Sequence, residues 1–183
     1  MSLRTILLLV GVLLPSTTIA QSTSPTQDCY EVPNSFELCE NDNVSVQGLW
    51  EPNRLGISVR GNQGQRHGIG VRFSDPDWCI LWWICRNSDH EVYVANRLQE
   101  SKNEMLVHGN EDSLHIVHKG TLQLPGYTGN VTRFRLYDLR TMSFSTRIGN
   151  RTVTFEASKI NSENDASFAV MERRISMVLT QIQ

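Results

Sequence analysis

The chain has 183 residues, a formal net charge of -2, 20% charged residues and a mean hydropathy of -0.29. Such a balanced charge excludes a chain that is basic overall and built for nucleic acid or an anionic membrane surface. The proportion of apolar residues fits an ordinary globular protein with one sizeable core.

Residues 1–20 read MSLRTILLLVGVLLPSTTIA. One basic residue, Arg4, precedes an apolar run from Ile6 to Leu14, and small residues lead up to Ala20. This is the pattern of a secretory signal peptide cleaved after Ala20. The apolar run is roughly half of what a membrane span needs, so no membrane insertion is expected. Residues 21–40 open with the polar, Pro25-containing QSTSPTQD and are expected to be a flexible N-terminal segment tethered by disulfides. Residues 41–183 are expected to form the folded domain.

From Phe36 onward the pattern has period 2. NVSVQGLW sets Val44 and Val46 against Ser45 and Gln47, LGISVRG groups Leu55, Ile57 and Val59, and IGVRF groups Ile69, Val71 and Phe73. These alternations predict half-buried strands. The run WCILWWIC reads as another strand, followed by a short strand VYVANRL and a polar, loop-like SKNEMLVHGNED. SLHIVHKG and TLQLPG are short extended pieces. TRFRLYDLR alternates Phe134 and Leu136 against Arg133 and Arg135. SFSTRIGN and RTVTFEA flank Gly149-Asn150, a two-residue hairpin signal. The C-terminal SFAVMERRISMVLTQIQ fits two periods. As a helix it groups Phe168, Met171, Ile175 and Val178; as a strand, Ile175, Met177 and Leu179. Turn signals every eight to twelve residues predict an all-β sandwich.

Secretion makes the four cysteines, Cys29, Cys39, Cys79 and Cys85, readable as disulfides. Sequence alone leaves three pairings open. The strand reading narrows them. Six residues separate Cys79 from Cys85, about 20 Å along a strand at ~3.3 Å per residue, whereas a disulfide needs Cα atoms within about 7 Å. The expectation is that Cys29 and Cys39 each bond one of Cys79 and Cys85, which staples the N-terminal segment across the tryptophan-rich strand. Asn43, Asn130 and Asn150 head N-glycosylation sequons, each expected at the surface.

Catalytic and metal signals are weak. No Gly-x-Ser-x-Gly occurs, and the close carboxylates Asp75/Asp77 and Glu111/Asp112 fall in turn-like stretches. His67, His90, His108, His115 and His118 show no metal spacing, and His115 and His118 would face opposite sides of a regular strand. No enzyme activity, metal or cofactor is expected.

The order of these pieces from Leu55 to Gln183 resembles the galectin family. LGISVRG…GIGVRF is similar to its opening strands, and CILWWICRN with VYVANRL to the strands that carry its sugar-binding residues. LPGYTGNVTRFRLYDL and FSTRIGNRTVTFEASKI are similar to its later strands and hairpin, and RRISMVLTQIQ to its last strand. The resemblance implies a two-sheet antiparallel jelly-roll β-sandwich and non-covalent binding of carbohydrate. The site motif is altered. The family's His-x-Asn-x-Arg is replaced by Trp83-Ile84-Cys85-Arg86-Asn87, Asn96 fits the next site strand, and His108-Gly109-Asn110-Glu111 stands for Trp-Gly-x-Glu. Arg86, Asn87, Asn96, His108 and Glu111 are therefore the expected sugar-binding residues, and glycans or glycoproteins the expected partners, with no nucleic acid. Two further readings remain open. One is a secreted protein-interaction module with the same fold and no sugar binding. The other is a lipocalin-like carrier, from Gly48-x-Trp50 and a C-terminal helix.

Overall fold

The computed structural model describes residues 28–33, 35–61, 63–79, 85–86, 90–106, 114–136, 139–160 and 168–183. The expected signal peptide and residues 21–27 lie outside these.

Antiparallel strands dominate. The hairpin of β1 (Cys29–Val32) and β2 (Phe36–Cys39) stands before a seven-stranded sheet. That sheet comprises β3 (Val44–Glu51), β4 (Arg54–Arg60), β5 (Arg66–Phe73), β8 (Leu114–Leu124), β9 (Tyr127–Leu136), β10 (Leu139–Ile148) and β11 (Arg151–Ile160), in the order β3-β4-β5-β11-β10-β9-β8. A two-residue pair, β6 (Trp78–Cys79) with β7 (Cys85–Arg86), stands apart. The helices are α1 (His90–Leu106), packed against β10, and α2 (Phe168–Leu179), packed against β4, β10 and β11.

The period-2 expectations hold for β3, β4, β5, β9, β10 and β11. Leu55, Ile57, Val59, Ile69, Val71, Val153, Phe155, Met142 and Phe144 line one face of the sheet and are buried. They fall into cross-strand rows, such as Leu55–Val71–Phe155–Phe144–Val131. Met171, Ile175, Val178 and Leu179 of α2 cover that face. The expected Gly149-Asn150 hairpin is present. Ile148 pairs with Arg151, and Gly149 supplies the positive φ (58°) that a tight two-residue turn needs.

Several expectations are corrected. The segment VYVANRL is the start of α1, not a strand. Its opening, β-branched Val92 and Val94 around aromatic Tyr93, mimics a strand locally. The stretch from Arg97 to Leu106 is rich in Arg, Leu, Gln, Glu, Lys and Met, which favour helix over the longer window. The C-terminal segment is the helix of its two readings, so its likeness to a last strand fails. Four buried apolar side chains on one helical face outweigh the short alternation. Of the sandwich, the antiparallel all-strand part stands. Among the described residues the layer over the apolar face is α2 together with the β1–β2 hairpin, not a second large sheet.

The tryptophan-rich run is also not one strand. Cys79 and Cys85 are register partners in the antiparallel β6–β7 pair, so the chain reverses between them. The disulfide expectation falls with it. Cys29 bonds Cys39, and these two residues are register partners at the open end of the β1–β2 hairpin. From Asp28 on, the N-terminal segment is built into the fold rather than flexible. Val32, Phe36 and Leu38 are buried in the main core, and β2 bonds back to the chain's end through Cys39 N–H to the Gln181 carbonyl at 3.0 Å. Arg151 fixes the hairpin to the sheet. It donates to the Ser74 and Pro33 carbonyls, and its guanidinium stacks on Phe73 with 5.4 Å to the ring centroid.

Candidate functional site: an uncovered wing of the sheet

The residues expected to bind sugar do not sit on neighbouring strands. Arg86 is in β7, opposite Trp78, and Asn96 is an exposed residue of α1. Asn87, His108 and Glu111 lie outside the described residues. The expected convergence rested on VYVANRL being the strand beside Arg86, and that strand is a helix. Of the sequon residues, Asn43 is exposed, while Asn130 and Asn150 are half-buried in β9 and the β10–β11 turn. Cys29, Glu37 and Cys39 place their ligand atoms within 4.8 Å of one another. Both sulfurs are spent in the disulfide, so no thiolate is available there to a metal. No helix among the described residues is long and apolar enough to cross a membrane.

A different surface stands out. β8 is an edge strand of the large sheet, and residues 115–121 are exposed without interruption. Among them are Ile116 and Val117, 44% and 54% exposed. Arg135 of β9, the register partner of His115, continues this exposed wing, whereas Val131, Thr132 and Phe134 of β9 are buried. Regular pairing alternates side chains between faces, but a bulge between Ile116 and His118 adds one residue to β8. His115 pairs with Arg135 and His118 with Arg133, so both histidines share one face. The expectation that they face opposite sides fails for this reason. A Cβ on Gly120 would meet the His118 Nε2 at 2.9 Å, so the imidazole lies over the bare glycine.

That face is the one α2 covers, and at its end it is basic. One row runs His115–Arg135–Arg140–Lys159 across β8, β9, β10 and β11, each residue the register partner of the next. The adjacent row begins His118–Arg133 and then turns apolar at Met142 and Ala157. Arg133 pairs with Glu172 of α2, and its guanidinium stands 5.8 Å from the Phe168 ring at the start of that helix. Arg140 and Lys159 make further contacts of their own. The sequence shows Arg133 and Arg135 alternating with Phe134 and Leu136. What it hides is the strand register that lines Arg135 up with Arg140 and Lys159.

The opposite face is hydroxyl-rich and largely buried. Ser145 and Thr154 share a hydrogen bond of 2.7 Å, and Thr141 and Ser158 one of 2.9 Å. Arg72, 8% exposed, flanks Thr154 and lies near Glu51. Burial also raises the phenol pKa of Tyr30 and of Tyr127, which closes the β8–β9 turn.

No family model matches the sequence, and no curated protein matches it. Solved structures do. Cyanobacterial PsbP (CyanoP) from Synechocystis sp. PCC 6803 aligns over 92% of this chain and 98% of its own, at 10% identity and a TM-score of 0.50. A protein from Bacteroides thetaiotaomicron aligns over 86% of this chain and 48% of its own, at 9% identity and a TM-score of 0.39, too low to support any inference. Neither of the two is a galectin. The first likeness is one of fold, and it fits a mostly antiparallel sheet with helices packed on it.

Proposed function

We propose that this chain is a secreted, non-enzymatic recognition protein that binds glycoconjugates through the exposed wing formed by β8 and Arg135. The apolar run Ile6–Leu14 and the Cys29–Cys39 disulfide support an oxidising, extracellular setting. The observation that carries the binding surface is the seven-residue exposed stretch 115–121 on an edge strand, rich in hydrogen-bonding side chains (His115, His118, Lys119, Thr121). Arg135 on β9 continues that surface. Sugars are recognised by such fixed donors and acceptors, and a planar guanidinium offers paired donors to hydroxyls or anions. The reading does not require the galectin-type jelly roll or a site at Arg86 and Asn96. A protein partner is the second reading, favoured by the exposed Ile116 and Val117.

A glycan array probed with the mature protein and with Val117→Asp, Arg135→Ala and Arg86→Ala tests this. Binding that falls with the two wing variants and persists in Arg86→Ala is expected. Binding lost only in Arg86→Ala moves the site off the wing. No binding to any glycan removes the carbohydrate reading and leaves the protein-partner one.

A further inference from the structure

We propose that the α2-side face of the wing is an oxyanion site that takes phosphate or sulfate groups carried in series on a linear chain. The inference rests on the wing being the binding surface and names the chemistry of its ligand. Four adjacent strands place His115, Arg135, Arg140 and Lys159 side by side on one face, and His118 and Arg133 stand in the row beside them. Like charges directly opposite one another on a sheet destabilise it, yet Arg135/Arg140 and Arg140/Lys159 are such pairs. Lys159 is buried, and the part of the row open to a ligand, exposed His115 and Arg135 with half-buried Arg140, spans two strand intervals, about 10 Å at ~4.8 Å each. That length suits more than one anionic group in sequence.

Two features add to the row. The bulge in β8 brings His115 and His118 to the same face, which a regular strand could not do. The first residue of α2 stands over Arg133, so the positive end of a twelve-residue helix dipole lies at the same end of the sheet. The acids facing the site on described elements include Glu172, already paired with Arg133. With a net charge of -2 for the whole chain, attraction of a polyanion requires a local cluster of this kind.

Titration calorimetry of the mature protein at low salt tests the site, with inorganic phosphate, tripolyphosphate and dextran sulfate as probes. Either polyanion should bind at least about tenfold tighter than phosphate, and Arg135→Ala should weaken that binding by about tenfold. Added salt should weaken it further, because the row is partly exposed. Arg60→Ala is the control. It removes the same charge from an exposed position at the end of β4, outside the wing, and binding should be unchanged. Preference for dextran sulfate points to sulfate esters on a sugar chain, and preference for tripolyphosphate to phosphates; both support the site. Polyanions that bind no tighter than phosphate, or an equal loss in Arg60→Ala, overturn it. Glycan binding that survives Arg135→Ala but is lost in Val117→Asp keeps a site on β8 while overturning the oxyanion site.

Discussion

Removing the Cys29–Cys39 bond, in the Cys29→Ser/Cys39→Ser double variant, should lower global stability without freeing the hairpin. The bond closes a loop across a sequence separation of 10. Loop-closure entropy for such a loop corresponds to about 2.7 kcal/mol at 25 °C. Against detachment stand Val32, Phe36 and Leu38, whose exposures are 1%, 6% and 1%. At ~1.5–3 kcal/mol per buried side chain, their burial is worth about 5–9 kcal/mol as an upper estimate. The β2 bonds to Gln181 and Gln183 and the Ser35 hydroxyl bond to the Ile148 carbonyl hold the same hairpin. The burial exceeds the loop term, so β1–β2 stays docked and the whole domain unfolds together at lower temperature. At ~2–4 °C per kcal/mol for a domain of this size, Tm should fall by about 5–11 °C. Scanning calorimetry gives the shift, and urea denaturation should return an m-value no smaller than that of the disulfide-bonded protein, because the unfolded chain without the bond exposes at least as much surface. A biphasic transition, or a smaller m-value, would show that the hairpin lets go first. Peptide mapping that links Cys29 or Cys39 to Cys79 or Cys85 would refute the reasoning at its root.

Gly129→Ala should be among the costliest single-methyl additions in the chain. Its Cβ would fall 2.2 Å from the Ser145 carbonyl oxygen and 2.9 Å from the Phe144 ring, so the loss should reach or exceed about 3 kcal/mol in denaturant titration. Thr154→Val leaves the Ser145 hydroxyl buried without its 2.7 Å partner and should cost about 1–3 kcal/mol. Adding Ser145→Ala should recover much of that cost, and additive losses in the double variant would disprove the pairing. The raised phenol pKa values of Tyr30 and Tyr127 mean that the unfolded chain ionises first near pH 10, while the folded chain keeps its protons. Their contribution to stability is therefore complete below pH 10 and is lost as pH rises through the folded values. Absorbance titration of the phenolates, compared between native and denatured protein, checks it.

Strand identity was legible wherever alternation ran through residues that share a face, as in Leu55–Ile57–Val59 and Val153–Phe155–Ala157. The Gly149-Asn150 turn was legible because only a few residue types accept its backbone. What covers each face was not. Ser and Thr alternating with Val and Phe predict a wet face, yet Ser145 and Thr154 are 2% and 0% exposed. Hydroxyls that bond one another in pairs can be buried, and a one-dimensional pattern cannot tell that from solvation. VYVANRL misled for another reason. Three β-branched or aromatic residues outweighed the helix formers downstream, and the sugar-site expectation at Asn96 inherited the error. The basic rows depend on register and on one bulge, which decide at a distance which side chains become neighbours.

Stability and ligand binding should pull in opposite directions on the wing. Arg135 is exposed and has His115 and Arg140 as its register partners. A guanidinium opposite another guanidinium is an unfavourable cross-strand pair, and threonine suits an exposed strand position better. Arg135→Thr should then raise stability slightly, by about 0.2–1 kcal/mol at low salt, with the gain shrinking as salt screens the pair. The same substitution should lower polyanion affinity. A residue kept only for the fold would show the reverse, since its removal would destabilise the domain and leave binding unchanged. Thermal denaturation at low and high salt, run beside the calorimetric titration on one variant, separates the two cases. Destabilisation by Arg135→Thr would mean that the basic row contributes to the packing of the sheet, and the case for a ligand there would fail with it.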